Sequence, residues 1–155
     1  MALEIERKYL LKNDSWRSLC CEGKKYIQGY LIGSDLASVR IRLEGDNAFL
    51  NIKSMSLGIV RSEYEYVLPN DDAVEMLENL CVKPLISKTR YIVIYQNKKW
   101  EIDVFEGDNS GLIVAEIELQ SESEKFGIPD FIDKEVSDDP RYYNVNLVEH
   151  PYSQW

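Results

Sequence analysis

The sequence predicts a mainly β fold (α+β): an eight-stranded antiparallel barrel closed into a tunnel, with flanking helices. Two observations lead there. Eight strand-like segments follow one another, at 3–12, 24–33, 37–45, 47–55, 58–68, 86–96, 98–106 and 112–121, several joined by short turns. Seven of them place charged or amide residues at every second position, which gives each strand one charged and one apolar face. No linker, low-complexity stretch or solenoid-length repeat divides the 155 residues, so one domain over 1–155 is expected.

The turns Gly33-Ser34-Asp35, Glu44-Gly45-Asp46-Asn47 and Gln96-Asn97-Lys98 suit antiparallel hairpins. Pro69-Asn70-Asp71-Asp72 opens AVEMLENL, where Asn and Asp are good N-caps and apolar residues at 73, 74, 77 and 80 fit one helical face. A shorter helix is expected within 14–21, and a last one in RYYNVNLVEH after Pro140.

Composition narrows the function. The net charge of −9 argues against nucleic acid as the main partner, while leaving room for a local basic site. No stretch has the length of a membrane span, and MALEIERKYLL puts charges where a signal peptide is apolar, so a cytoplasmic protein with no membrane partner is expected. The three cysteines, Cys20, Cys21 and Cys81, read as reduced thiols. The single histidine, His150, makes Ser-His-Asp or Cys-His catalysis improbable, and neither a GxxxxGK[ST] loop nor GxGxxG is present.

The charged faces carry the chemistry. Glu4, Glu6 and Lys8 share a face of the first strand, Arg40 and Arg42 of the third, Asn51 and Lys53 of the fourth. Arg61, Glu63 and Glu65 follow on the fifth, Lys88 and Arg90 on the sixth, Glu101 and Asp103 on the seventh, Glu116 and Glu118 on the eighth. A sheet with one wet face alternates in this way too. Like charges grouped within each strand are harder to explain so, because an ordinary surface mixes signs. Faces turned inward make a lumen of about equal positive and negative charge, costly unless water, metal or ligand fills it. Carboxylates gather hard divalent cations, and arginine and lysine clamp phosphate oxygens. A polyphosphate with its metal ions fits both halves, whereas a glycosidase has no need of so many facing cations.

The chain resembles the CYTH superfamily, the triphosphate tunnel metalloenzymes. Glu4-Ile5-Glu6-Arg7-Lys8 is similar to its ExExK signature, and Gln28-Gly29-Tyr30-Leu31, Val39-Arg40-Ile41-Arg42, Leu50-Asn51-Ile52-Lys53, Glu63-Tyr64-Glu65-Tyr66, Lys88-Thr89-Arg90-Tyr91, Trp100-Glu101-Ile102-Asp103 and Ala115-Glu116-Ile117-Glu118-Leu119 to its successive strands. Glu135-Val136-Ser137-Asp138-Asp139 with Arg141-Tyr142-Tyr143-Asn144 is similar to a tail that plugs one tunnel mouth; no role is assigned to the extension LVEHPYSQW.

The resemblance implies a metal-dependent hydrolase that cleaves inorganic triphosphate to pyrophosphate and phosphate, as monomer or homodimer, with Mg²⁺ or Mn²⁺ and two ions. It implies Glu4, Glu6, Glu63, Glu65, Asp103, Glu116 and Glu118 as metal-site acids and Arg40, Arg42, Lys53, Lys88 and Arg90 as the phosphate clamp. Lys8, also counted among the substrate-binding residues, and Tyr30 match a proton-handling pair. Arg61 and Glu101 are left open as lumen or rim residues, and Lys98-Lys99 reads as a soluble turn. The alternatives are an organic-triphosphate enzyme of the same family (class IV adenylate cyclase or thiamine triphosphatase) and a non-catalytic polyphosphate- or nucleotide-binding module.

Overall fold

The computed structural model describes residues 3–155. Its strands are β1 (Leu3–Leu11), β2 (Lys24–Gly33), β3 (Ala37–Glu44), β4 (Asn47–Ser54), β5 (Val60–Leu68), β6 (Ile86–Tyr95), β7 (Lys98–Phe105), β8 (Ile113–Glu118) and β9 (Ile132–Glu135). The first eight match the predicted segments. They pair antiparallel in the order β5-β4-β3-β2-β6-β7-β8-β1, and Leu3–Ile5 of β1 pair back onto β5, which closes the barrel. β8 holds the other edge of β1 through Glu6–Leu10.

The hairpins form for the reasons their turns suggest. Gln96 and Asn97 both take positive φ, 47° and 62°, and link Tyr95 to Lys98 as a two-residue turn matched to strand twist. Gly45, at φ 58°, turns β3 into β4.

The barrel is turned inside out relative to an ordinary core, with charges in the lumen and apolar faces outside. The outward positions are covered in sectors. α1 (Asn70–Asn79) lays Ala73 and Leu77 onto Ile41 and Ala48, with Cys81 extending the stripe. Val74 and Leu80, expected on that face, stay exposed, because the buried line runs through every fourth residue. Pro69 precedes the helix, so Asp71 and Asp72 lie in its first turn, where they complement the helix dipole without capping it. The segment expected as a short helix at 14–21 makes one 3₁₀ turn, Ser15–Ser18, which buries Trp16 against Tyr91 and the β7–β8 face.

The region after Pro140 departs from the expected single helix. It forms a 3₁₀ turn at Pro140–Tyr142, the four-residue α2 (Asn146–Glu149) and a last turn at Tyr152–Gln154. Packing dictates this. Ile86, Phe105 and Val114 continue the lumen-facing positions of β6, β7 and β8, and Tyr142, Leu147 and Val148 pack against them with Tyr30 and Val136. An apolar plug therefore fills one end of the tunnel. The terminal Trp155 folds back onto Tyr142, ring centroids 5.0 Å apart, and donates its indole N–H to His150 O. β9 was not predicted. It takes up the edge of β1 beyond β5, pairing with Tyr9 and Leu11, and leads into the plug. No helix among the described residues is long and apolar enough to cross a membrane.

Candidate active site

The strand order sorts the lumen by charge. β7, β8, β1 and β5 are consecutive around the barrel and present Glu101, Glu116, Glu118, Glu4, Glu6, Glu63 and Glu65. β4, β3, β2 and β6 complete the circle and present Lys53, Arg40, Arg42, Lys88 and Arg90, with neutral Tyr26, Gln28 and Tyr30 on β2 between the two arginine-bearing strands. An acidic half thus faces a basic half across a cavity of about 410 Å³. Its lining includes eight carboxylates and eight cations, the near balance expected of inward-turned faces.

Ion pairs stitch the halves where they meet. Lys53 Nζ lies 2.9 Å from Glu4 and 3.7 Å from Glu63. Arg42 reaches Glu65 at 3.1 Å, and its Nε lies 3.0 Å from Glu44 without the alignment of a hydrogen bond. Asn51 donates to both Glu63 and Glu65. On the other seam Arg90 contacts Glu101 at 2.7 Å, approaches Glu116 at 4.0 Å and stacks over Tyr26. Lys8 and Arg61 are cations on the acidic half. Lys8 Nζ donates to Tyr142 O at 3.0 Å and sits 3.7 Å from Glu116, while Arg61 lies over the Tyr143 ring. Arg40 has no carboxylate within ion-pair distance among the described residues, and its Nε has no hydrogen-bond partner.

Of the fourteen residues expected at the site, thirteen line the cavity. Asp103 does not. It is wholly buried beneath the basic wall, with Oδ1 taken by Arg90 Nε at 2.7 Å and Oδ2 by Lys88 Nζ at 2.7 Å and a second Arg90 N–H at 2.8 Å. The register sets Asp103 directly opposite Arg90, and the plug lies just beyond it at Phe105, so the two cations close over it. Arg61 and Glu101 both line the cavity, as does Lys99, read from the sequence as part of a soluble turn. Tyr26, Gln28, Ser38 and Glu44 also line it. The alternation of 26, 28 and 30 on β2 was visible, but a neutral row does not register as a charged face.

Buried carboxylates respond to their neighbours in opposite directions. Burial, then the charges of Glu116 and Glu4, holds Glu6 well above the ordinary 4.5. Burial also pushes Glu116 up, but Lys8, Arg90 and Lys88 outweigh it and hold Glu116 well below that value. Burial, and then Glu63 beside it, raises Glu4 as well, whereas in Glu63 the upward push of burial is outweighed by Glu4, Lys53 and Arg40. Within each pair one carboxyl is therefore held up and its neighbour held down.

Such crowded, buried carboxylates suit a hard divalent cation, whose charge offsets theirs. Among the described residues no three carboxylates already form a closed metal cage.

The CYTH domain model matches residues 2–152. The chain belongs to the CYTH family. This CYTH chain is 46% identical over all of its length, and 99% of the other's, to the inorganic triphosphatase of Acetivibrio thermocellus. It is 34% identical to the inorganic triphosphatase of Nitrosomonas europaea, over 93% of this chain and 95% of that one. A crystal structure of an inorganic triphosphatase superposes with TM-score 0.64 at 32% identity, covering 96% of this chain and 95% of the other. The closed β-tunnel is thus the CYTH fold.

Proposed function

We propose that this CYTH chain hydrolyses inorganic triphosphate to pyrophosphate and phosphate inside the tunnel. The observation that carries the reading is the lumen divided into facing acidic and basic halves. The inorganic triphosphatases that resemble it over nearly their whole length support the same substrate. Arg40, Arg42, Lys53, Lys88 and Arg90 bind the phosphate oxygens and neutralise charge that develops on the leaving pyrophosphate. Glu4, Glu6, Glu63, Glu65, Glu116 and Glu118 hold Mg²⁺ or Mn²⁺, two ions in all. Bound there, the metal supplies charge neutralisation and a more acidic attacking water. Asp103 acts behind the wall, fixing Lys88 and Arg90 in place.

Lys8 and Tyr30 are the proposed proton-handling residues. Lys8 Nζ is a donor to Tyr142 O, and Tyr30 lies opposite Arg40 across the β2–β3 pair. A neutral amine keeps N–H donors beside its lone pair, so Lys8 Nζ can accept a proton while still donating to the Tyr142 carbonyl. Water attack on a terminal phosphorus needs no covalent nucleophile.

A second reading has one observation in its favour. A smaller cavity of about 240 Å³ beside the plug, lined by Pro140 and Asn146, shares Met55, Arg61 and Tyr143 with the tunnel and adds Leu57, which offers an organic group some apolar surface. A panel of tripolyphosphate, ATP, thiamine triphosphate and pyrophosphate with Mg²⁺ or Mn²⁺ separates the readings. Tripolyphosphate should be cleaved much faster than ATP, and pyrophosphate poorly because it is too short to span the clamp. Comparable rates on ATP or thiamine triphosphate, or release of cyclic AMP, would favour the organic-substrate reading. Binding without turnover would leave a binding module.

Lys88 gives the pH dependence a sign. Burial, only partly offset by Asp103, lowers it from 10.5 to about 8. Above that pH the free protein carries a neutral Lys88, which no longer attracts phosphate, so kcat/KM for tripolyphosphate should fall. Lys88→Arg stays charged and should move the falling limb to higher pH. A limb unmoved in Lys88→Arg assigns it to another group.

A further inference from the structure

We infer that Gln28 is a further substrate-binding residue: its side-chain amide donates a hydrogen bond to a phosphate oxygen of the triphosphate, at the centre of the basic half. The inference rests on the functional reading above and adds an uncharged contact to the cations of the phosphate clamp.

Three observations place it. Gln28 lines the main cavity from β2, the strand that lies between the two arginine-bearing strands. The register puts it directly opposite Arg42 on β3, and one alternate position away from Arg40 on that strand and from Lys88 on β6. Cross-strand neighbours of this kind lie within side-chain reach of one another. A phosphoryl group held between the β3 and β6 cations therefore sits over Gln28.

The second observation is the state of the amide. Gln28 is 0% exposed, and neither Oε1 nor Nε2 has a hydrogen-bond partner among the described residues. A buried amide with both ends unpaired is costly, and native structures rarely keep one without a use for it. The third is its setting. Tyr26 and Tyr30 flank it on the same face, and Ile86 of the plug lies opposite on β6, so packing alone would accept Leu or Met there.

The neighbours dictate which end meets the ligand. The phosphate brings only acceptors on its ionised oxygens, so Nε2 faces it, and Oε1 accepts from the surrounding guanidinium and ammonium N–H groups. An amide can do this without adding a further like charge between Arg42 and Lys88, which a lysine at this position would do.

The test compares Gln28→Met and Gln28→Glu with the parent. Binding of tripolyphosphate to metal-free protein is measured by calorimetry, turnover by phosphate release, and Tm on the unliganded proteins. Gln28→Met keeps the shape and removes both hydrogen-bonding ends. It should weaken tripolyphosphate binding and kcat/KM by about ten- to a hundredfold, the value of a hydrogen bond to a charged group, with Tm unchanged or higher because an unpaired buried amide is gone. Gln28→Glu replaces the donor by an acceptor and should bind more weakly still near neutral pH. A merely structural glutamine gives the opposite pattern, a lowered Tm with affinity retained in whichever variant folds, and that result overturns the inference. Equal affinity in parent and Gln28→Met overturns it as well while leaving the triphosphatase reading intact. A parent that neither binds nor cleaves tripolyphosphate overturns the functional reading and this contact with it.

Discussion

Asp103→Ala should lower the unfolding free energy by about 3–5 kcal/mol, the usual cost of breaking a buried ion pair from one side, and should remove most of the turnover. The carboxylate is wholly buried and accepts from Lys88 once and from Arg90 twice. Lys88 has no other ion pair among the described residues and is itself buried, so the variant strands an ammonium against Tyr26 and Phe105. Arg90 keeps Glu101 and its looser approach to Glu116, so it is weakened rather than stranded. Asp103→Asn keeps the volume and loses the charge, and should fall between parent and alanine variant. Urea unfolding with kcat/KM on the same samples checks this. Parent-like stability in Asp103→Ala would show that Lys88 relaxes to another partner, and a metal requirement raised with stability unchanged would return Asp103 to the metal-site acids.

The case of Asp103 also shows what strand alternation reveals and what it hides. A period of two states which side of the sheet a residue faces. It placed Glu4, Glu6, Glu63, Glu116, Arg40, Lys53 and Lys88 on one inner surface, and with it the eight strands of the barrel. It does not state depth along the tunnel. Asp103 shares a face with Glu101, yet Glu101 lines the cavity while Asp103 lies under Arg90, because only the packed plug at Phe105 and Ile86 decides where the lumen ends. Charge drew the eye and hid Gln28, whose importance comes from strand order, with β2 between the two arginine-bearing strands. β9 was illegible for a different reason. Its four residues, Ile132–Glu135, carry too short a pattern, and the strand exists because β1 has an unpaired edge beyond β5. The expected C-terminal helix is cut to the four residues of α2 because tertiary packing of Tyr142, Leu147 and Val148 overrides local propensity.

Metal removal is the second large effect. The acidic half without cations crowds buried carboxylates against one another, and the burial-raised Glu6 is the clearest sign of it. A carboxyl whose folded pKa is raised contributes stability that is fully present below its unfolded value, near 4.5, and is lost as pH rises through the folded value. Metal-free protein should therefore lose this contribution on going from mildly acidic towards neutral and higher pH. Mn²⁺ or Mg²⁺ should restore it, with a gain in Tm that grows with pH because fewer protons compete. Glu6→Gln keeps the shape without the charge and should mainly raise the metal concentration needed for half-maximal rate.

The most direct measurement is phosphate release from tripolyphosphate by protein stripped with EDTA and freed of chelator, before and after metal is added. A divided lumen in which carboxylates hold the cation and the basic wall holds the phosphates predicts no turnover in the stripped protein. Adding Mg²⁺ or Mn²⁺ should restore the full rate, and Ca²⁺ should serve poorly because of its size and looser geometry. Full turnover in the thoroughly stripped protein would contradict it.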